Sequence, residues 1–228
     1  SNAAAVQSFS PSVAADFAAN AVVSILLAAV LILIYVGVRF NSVRYSSGAL
    51  IATLHDCIVA LGFIALGEVV YKSAPGVASA LGILPFKIDL NVIAAVLTIL
   101  GYSLYDTIVV FDKVQENQAR FLGSKVPYAD IINVSMNQVL MRSLNTTISS
   151  LLPVVSLLVI GSGLLGAVTL RDFALALLVG LITGSYSSIF VASPLVAMLK
   201  EREPRYRTLV GRHATGTELE RLVLGGMP

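Results

Sequence analysis

Asp106 is where a chemical reading of this sequence starts. It lies well inside the apolar stretch Leu90 to Asn117, LNVIAAVLTILGYSLYDTIVVFDKVQEN, which closes abruptly with Asp112, Lys113 and Glu116. About 20 apolar residues suffice for a helix to cross the ~30 Å hydrocarbon layer. A charge at the centre of such a helix costs roughly 2.5–3.5 kcal/mol on insertion scales, so it persists where it has a partner or a task. An interhelical hydrogen bond is one such task, and the binding and release of a proton is another. Tyr102, four residues earlier, shares the helix face of Asp106. Gly101 and Ser103 beside them are small enough to let a neighbouring helix approach closely.

A second polar group stands at the entry to the next apolar run. Gln138, Arg142, Asn145 and Ser149 follow the spacing i, i+4, i+7, i+11 and form one stripe on a helix, within the polar segment Asn137 to Ser150. Facing lipid would be costly, so the stripe is expected to face the bundle or a wet cavity. An interfacial Arg142 that snorkels to headgroups is the plainer alternative. Earlier in the chain, His55-Asp56-Cys57 puts an imidazole, a carboxylate and a thiol in a row. Adjacent residues point in different directions on a helix, and the only other histidine is His213 in the tail, so no metal site is expected. Asp56 is read as a polar relay or helix-positioning group near a cytoplasmic mouth, and Glu68 as interfacial. Gly180 and Gly184 form a GxxxG pattern, which favours close helix packing in an apolar segment, and Ser185-Tyr186-Ser187-Ser188 prolongs its small, hydroxylated character. No phosphate loop, nucleophile elbow or HExxH motif occurs, so the chain is not expected to be an enzyme or to need a cofactor.

These side chains need elements to hold them, and composition defines the kind. Of 228 residues 57% are hydrophobic and only 12% charged, against about 25% charged in soluble domains. Lipid leaves only helices or closed barrels as spanning structures, and long continuous apolar runs select helices. The expected fold is an all-α integral membrane bundle with five transmembrane helices, at about 18–38, 49–70, 90–111, 144–160 and 173–199. Pro75, Gly76, Gly82 and Pro85 mark a loop between the second and third. Gly123 is expected to end an extension of the third, Pro127 to sit in the first turn of the next helix, and Pro153 to bend the fourth. Residues 1–3 read as a scar of tag removal, 4–199 as the membrane domain and 200–228 as a basic cytoplasmic tail. Thr217 and Glu220 suggest a capping box there.

Charge placement orients the bundle. Arg39, Arg44, Lys113, Arg120, Lys125, Arg142 and the six basic residues from Lys200 to Arg221 lie on one side; Lys72, Lys87 and Arg171 lie on the other. Twelve against three places the tail in the cytoplasm and the first residues outside. A chain that begins outside without a signal sequence implies a preceding helix or domain. The basic residues serve topology, and the net charge of +2 gives no indication of nucleic-acid binding.

Gly101-Tyr-Ser-Leu-Tyr-Asp-Thr-Ile-Val-Val-Phe-Asp-Lys-Val-Gln-Glu-Asn117 resembles the fourth-helix motif of the SecF family of bacterial protein-export membrane proteins. His55-Asp56, Asn137-Gln138 through Arg142 to Asn145-Thr146-Thr147, Leu170-Arg171-Asp172-Phe173 with the residues to Leu177, and Gly184 to Phe190 agree with it in order. Tyr105 departs from the asparagine many members carry. The resemblance implies helices two to six of a six-helix bundle paired with SecD, within the resistance-nodulation-division superfamily. The first helix and a large extracytoplasmic domain would be missing. It further implies a bacterial plasma-membrane subunit that acts with SecD and the SecYEG channel on exported preproteins, with protons as coupling ion. Asp106 and Arg142 match the family's proton-coupling positions, with Tyr102, Gln138, Asn145 and Asp56 in support. The alternative is a structural subunit that stabilises SecD and the channel, in which Asp106 and Arg142 form a static buried pair.

Overall fold

Lipid offers no hydrogen bonds to a backbone, so each apolar run must satisfy its own peptide groups along its length. The computed structural model describes residues 11–76, 90–121, 125–164, 166 and 168–224. They form α1 (Pro11–Phe40), α2 (Val43–Ser73), α3 (Leu90–Arg120), α4 (Tyr128–Ser156), α5 (Val168–Ser187), α6 (Ser193–Lys200), α7 (Pro204–Arg207) and α8 (Gly216–Leu224). Five stretches are long and apolar enough to cross a membrane: Ala19–Phe40, Val43–Ser73, Asn91–Arg120, Tyr128–Gly161 and Phe173–Glu201. No strand occurs among the described residues. The fold is an all-α, membrane-embedded bundle. Residues 1–3, Gly82, Pro85 and Gly123 lie outside the described residues.

The third helix runs past Phe111 to Arg120, the extension expected ahead of Gly123, and the fourth opens at Tyr128 directly after Pro127, so the stretch at about 144–160 is the later part of a longer helix. The polar stretch between them is helical because its apolar positions have a partner. Ile131, Ile132, Val134 and Val139 pack into one core with Val110, Phe111 and Val114. Pro127 serves as the N-cap residue, not as part of the first turn.

Two segments are π-helical: Leu157–Leu164, which follows the fourth helix, and Ser188–Ala192, just ahead of Pro194 in the fifth span. Pro194 has no N–H to give to the preceding turn and crowds its carbonyl; the wider turn there relieves both. The Ser193 hydroxyl donates to the Ser188 carbonyl at 2.9 Å within that turn.

The buried apolar residues divide into layers by height. One core holds Phe40, Tyr45, Phe111, Tyr128, Val196 and Tyr206 at the basic end. Another holds Ala60, Ala95, Ile99, Ala174, Leu177 and Leu181 toward the opposite end. Between them on α2, α3, α4 and α5 lie buried Asp56, Ser103, Asp106, Thr107, Ser143, Ser187 and Ser188.

The tail is not a free basic extension. Tyr206 and Leu209 are buried in the first core. Glu203 accepts from Arg44 and, at 3.0 Å, from Lys200. The Ala214 N–H donates to Asp130 at 2.6 Å. The capping box of α8 uses Thr215 and Glu218, with the Thr215 N–H donating to the Glu218 carboxylate at 3.0 Å, and not Thr217 and Glu220.

A buried carboxylate layer as candidate functional site

Two glycines let the layer close. A Cβ at Gly180 would lie 2.3 Å from Ile99, and one at Gly184 would lie 3.3 Å from the Ser103 Cβ and 3.6 Å from Asp56 Oδ2. The GxxxG face of α5 therefore seats α3 at a separation no larger side chain tolerates. Gly101 takes no part in this, since a Cβ there would meet open space.

Asp56 is fully buried rather than at a mouth. Its Oδ2 accepts hydroxyl protons from Ser103 at 2.5 Å and Ser187 at 2.7 Å, and its Oδ1 faces His55 Nδ1 at 3.1 Å. One carboxylate thus joins α2, α3 and α5. Asp106 is held differently. Ser143 of α4 donates to Oδ1 at 2.7 Å, and the Ser188 hydroxyl is the other polar group close to this carboxylate. Oδ2 is buried without a hydrogen-bond partner. The Tyr102 hydroxyl, on the same face of α3, is likewise buried and unpartnered.

Arg142 does not pair with Asp106. It is exposed, and among the described residues no ion pair involves it. The physical reason is rotation along the helix. Ser143, one residue on, is the position that faces α3, which turns Arg142 outward. Gln138, Asn145 and Ser149 are exposed with it, so the stripe faces away from this chain's own bundle. Gln138 alone reaches back, accepting from Asn117 Nδ2 at 3.0 Å. Asn117 also donates to Ser135 at 2.8 Å, while its Oδ1 stays buried without a partner.

Ser143, Ser187, Thr107 and Asn117 are the participants that sequence reasoning passed over. Their signal was a hydroxyl or amide inside an apolar run, which usually bonds its own helix backbone, as Thr53, Thr147 and Thr183 do here. Below the layer, Tyr45 and Tyr128 share a 2.7 Å hydroxyl contact, and Tyr206 packs edge-on to Tyr128 at 5.0 Å. Burial pushes the Tyr206 phenol above its ordinary range. Among the described residues no group of three His, Cys, Asp or Glu could hold a metal.

Four helices that bury two carboxylates and a ring of hydroxyls between apolar cores define a polytopic membrane protein with an intramembrane polar site. Its lineage follows from comparison. The family described as "Protein export membrane protein SecD/SecF, C-terminal" matches residues 1–202, and the chain belongs to this family. It is 41% identical over 185 residues to the protein translocase subunit SecF of Sebaldella termitidis, covering 81% of this chain and 52% of that one. It is 44% identical over 185 residues to SecF of Streptomyces coelicolor, covering 80% and 44%. The chain thus spans about half the length of these curated relatives. It is also similar to a crystal structure of SecDF in a super-membrane-facing form, with TM-score 0.63 and 38% identity over 82% of this chain and 22% of that one. A second SecDF structure, from Thermus thermophilus, gives TM-score 0.61 and 42% identity over 80% and 22%.

Proposed function

We propose that the chain is the membrane-spanning part of a SecF subunit that acts with SecD on the SecYEG channel, using the proton gradient to promote export of preproteins. It sits in the bacterial plasma membrane with the tail in the cytoplasm. The coupling ion is the proton, exchanged at Asp106, and no other cofactor takes part. The observation that carries this reading is the Asp106 carboxylate, buried at mid-bundle with one oxygen held by Ser143 and the other unpartnered. A carboxyl placed so can gain and lose a proton without breaking a saturated network. One elementary charge crossing 100 mV supplies about 2.3 kcal/mol, enough to bias a conformational equilibrium more than tenfold.

Support also comes from the outward stripe of Gln138, Arg142, Asn145 and Ser149. A polar helix face is costly against lipid, and a partner helix from SecD covers it in this reading. The rival scaffold reading pictured Asp106 and Arg142 as a static buried pair. Among the described residues no ion pair joins them, which bears on that picture and on a direct role for Arg142 alike, so flux decides between the two readings. The test is proton flux in vesicles carrying full-length protein with its SecD, comparing wild type, Asp106→Asn and Arg142→Met. Lost flux in Asp106→Asn with intact co-purification is the expected outcome, and flux lost in Arg142→Met as well would place the outward stripe on the proton route. Undiminished flux in both variants returns the subunit to a scaffold role.

A further inference from the structure

Asp56 is the most enclosed charge-bearing group in the bundle, yet proton exchange at Asp106 makes no use of it. What it grips is informative. Ser103 lies three residues before Asp106 on α3, one turn away on the same side. Ser187 immediately precedes Ser188, which faces Thr107 at 3.3 Å and stands close to the Asp106 carboxylate. Both serine hydroxyls donate to Asp56 Oδ2, Ser187 at 2.7 Å in preference to the Gly184 carbonyl of its own helix at 3.2 Å. The carboxylate therefore fixes the two segments that flank Asp106, one on each neighbouring helix. Gly184 eases the fit, since a Cβ there would press on the Ser103 Cβ at 3.3 Å and touch Asp56 Oδ2 at 3.6 Å.

The grip also bears on a weak point. Ser187 is the last residue of α5 before the π-helical turn Ser188–Ala192. A π turn is a local defect in helix register and a place where a helix can shift. Asp56 holds α5 at the edge of that defect, and on α3 it holds the turn that leads into Asp106.

We infer that Asp56 is a positioning residue for Asp106, clasping Ser103 and Ser187 so that the rotation of α3 against α5 keeps the Asp106 carboxylate buried beside Ser143 and Ser188. The inference takes its functional meaning from the reading of Asp106 as the proton-exchange site, but its geometry can be tested separately. The titratable and charged groups around the pair are His55 and the buried Cys57 thiol on α2, Tyr102 on α3 and Arg142 on α4; α5 brings serine hydroxyls and the exposed phenol of Tyr186.

The measurement is the pH dependence with which a hydrophobic carbodiimide labels Asp106 in the full-length complex, read by peptide mass spectrometry. This reagent modifies the protonated carboxyl and requires no proton flux. Asp56→Asn and Ser187→Ala are compared with wild type. Thr183→Ala is the control, because Thr183 bonds only the Val179 carbonyl of its own helix at 2.8 Å. The expected result is a labelling midpoint moved by about one pH unit in both variants, the scale on which a local rearrangement acts, and unmoved in the control. Ser187→Ala keeps the test decisive if Asp56→Asn fails to fold. A midpoint in folded Ser187→Ala that coincides with wild type overturns the inference. Flux lost in Asp106→Asn with an unmoved midpoint sinks the positioning role alone. A moved midpoint with flux intact in Asp106→Asn sinks the transport reading and leaves the clasp standing.

Discussion

Asp56 on α2 and Asp106 on α3 are both buried, and their surroundings differ in kind. Asp56 gathers Ser103, Ser187 and His55 around one carboxylate. Asp106 has Ser143 on one oxygen and an unpartnered second oxygen. A saturated acceptor resists change, because any movement leaves a buried hydroxyl without its partner. A half-satisfied one has room to alter its protonation or its neighbour. On the proposed reading the same residue type serves as a fastener in one place and as a switchable group in the other, and the number of donors separates them.

The largest expected contrast is between Asp106→Asn and Asp56→Ala. Asp106→Asn brings flux in vesicles to background while the thermal unfolding midpoint in detergent stays near wild type, since the amide still accepts from Ser143. Asp56→Ala does the reverse to the fold. It strips the acceptor from two buried hydroxyls at roughly 1–3 kcal/mol each, so a stability loss of up to about 2–6 kcal/mol is expected. Ser187 recovers part of this, since its hydroxyl already stands 3.2 Å from the Gly184 carbonyl. Equal destabilisation by the two substitutions would erase the distinction between fastener and switch.

Next in size are the glycines that let α3 and α5 meet. Gly180→Ala places a methyl group 2.3 Å from Ile99 and should cost about 1–3 kcal/mol through overpacking. Gly184→Ala meets Ser103 at a looser 3.3 Å and should cost less, but it presses on the Asp56 clasp. The sharpening measurement is carbodiimide labelling of Asp106 in both. Gly184→Ala should alter it more than Gly180→Ala, against the order of their stabilities.

The helices, their apolar lengths and the burial of Asp106 were legible, because burying charge in lipid is expensive enough to leave a clear mark on sequence. The GxxxG face was legible for a similar reason, as small residues recur where helices touch. The orientation of Arg142 was not. Spacing gives which residues share a face, but not which way that face turns; a rotation of one residue put Ser143 inward and Arg142 outward. Asp56 was misplaced at a mouth because its partners, Ser103 and Ser187, are 47 and 131 residues away in the chain. What the stretch ahead of about 144 packs against was less legible, because Asn117 with Ser135 and Gln138 form a polar contact between packed helices, and a polar residue in a sequence does not show which neighbour it meets.

The smallest effects belong to the basic end, where the layer's polar logic gives way to aromatic packing. Tyr128→Phe removes one hydroxyl of the Tyr45 pair and should cost about 1 kcal/mol. Glu203→Gln weakens the links to Arg44 and Lys200 that hold the tail. Arg44 is 43% exposed at its side chain, and such surface pairs contribute roughly 0–1 kcal/mol and less at high salt. The global unfolding midpoint should therefore barely move, while limited proteolysis between Arg205 and Arg212 becomes faster than in wild type, with the difference shrinking as salt is raised. Tyr206 and Leu209 remain buried anchors, so the tail should stay docked most of the time. A large loss of global stability in Glu203→Gln would mean that the ion pairs, and not the aromatic core, hold this end, and would extend the fastener role of Asp56 to a second carboxylate.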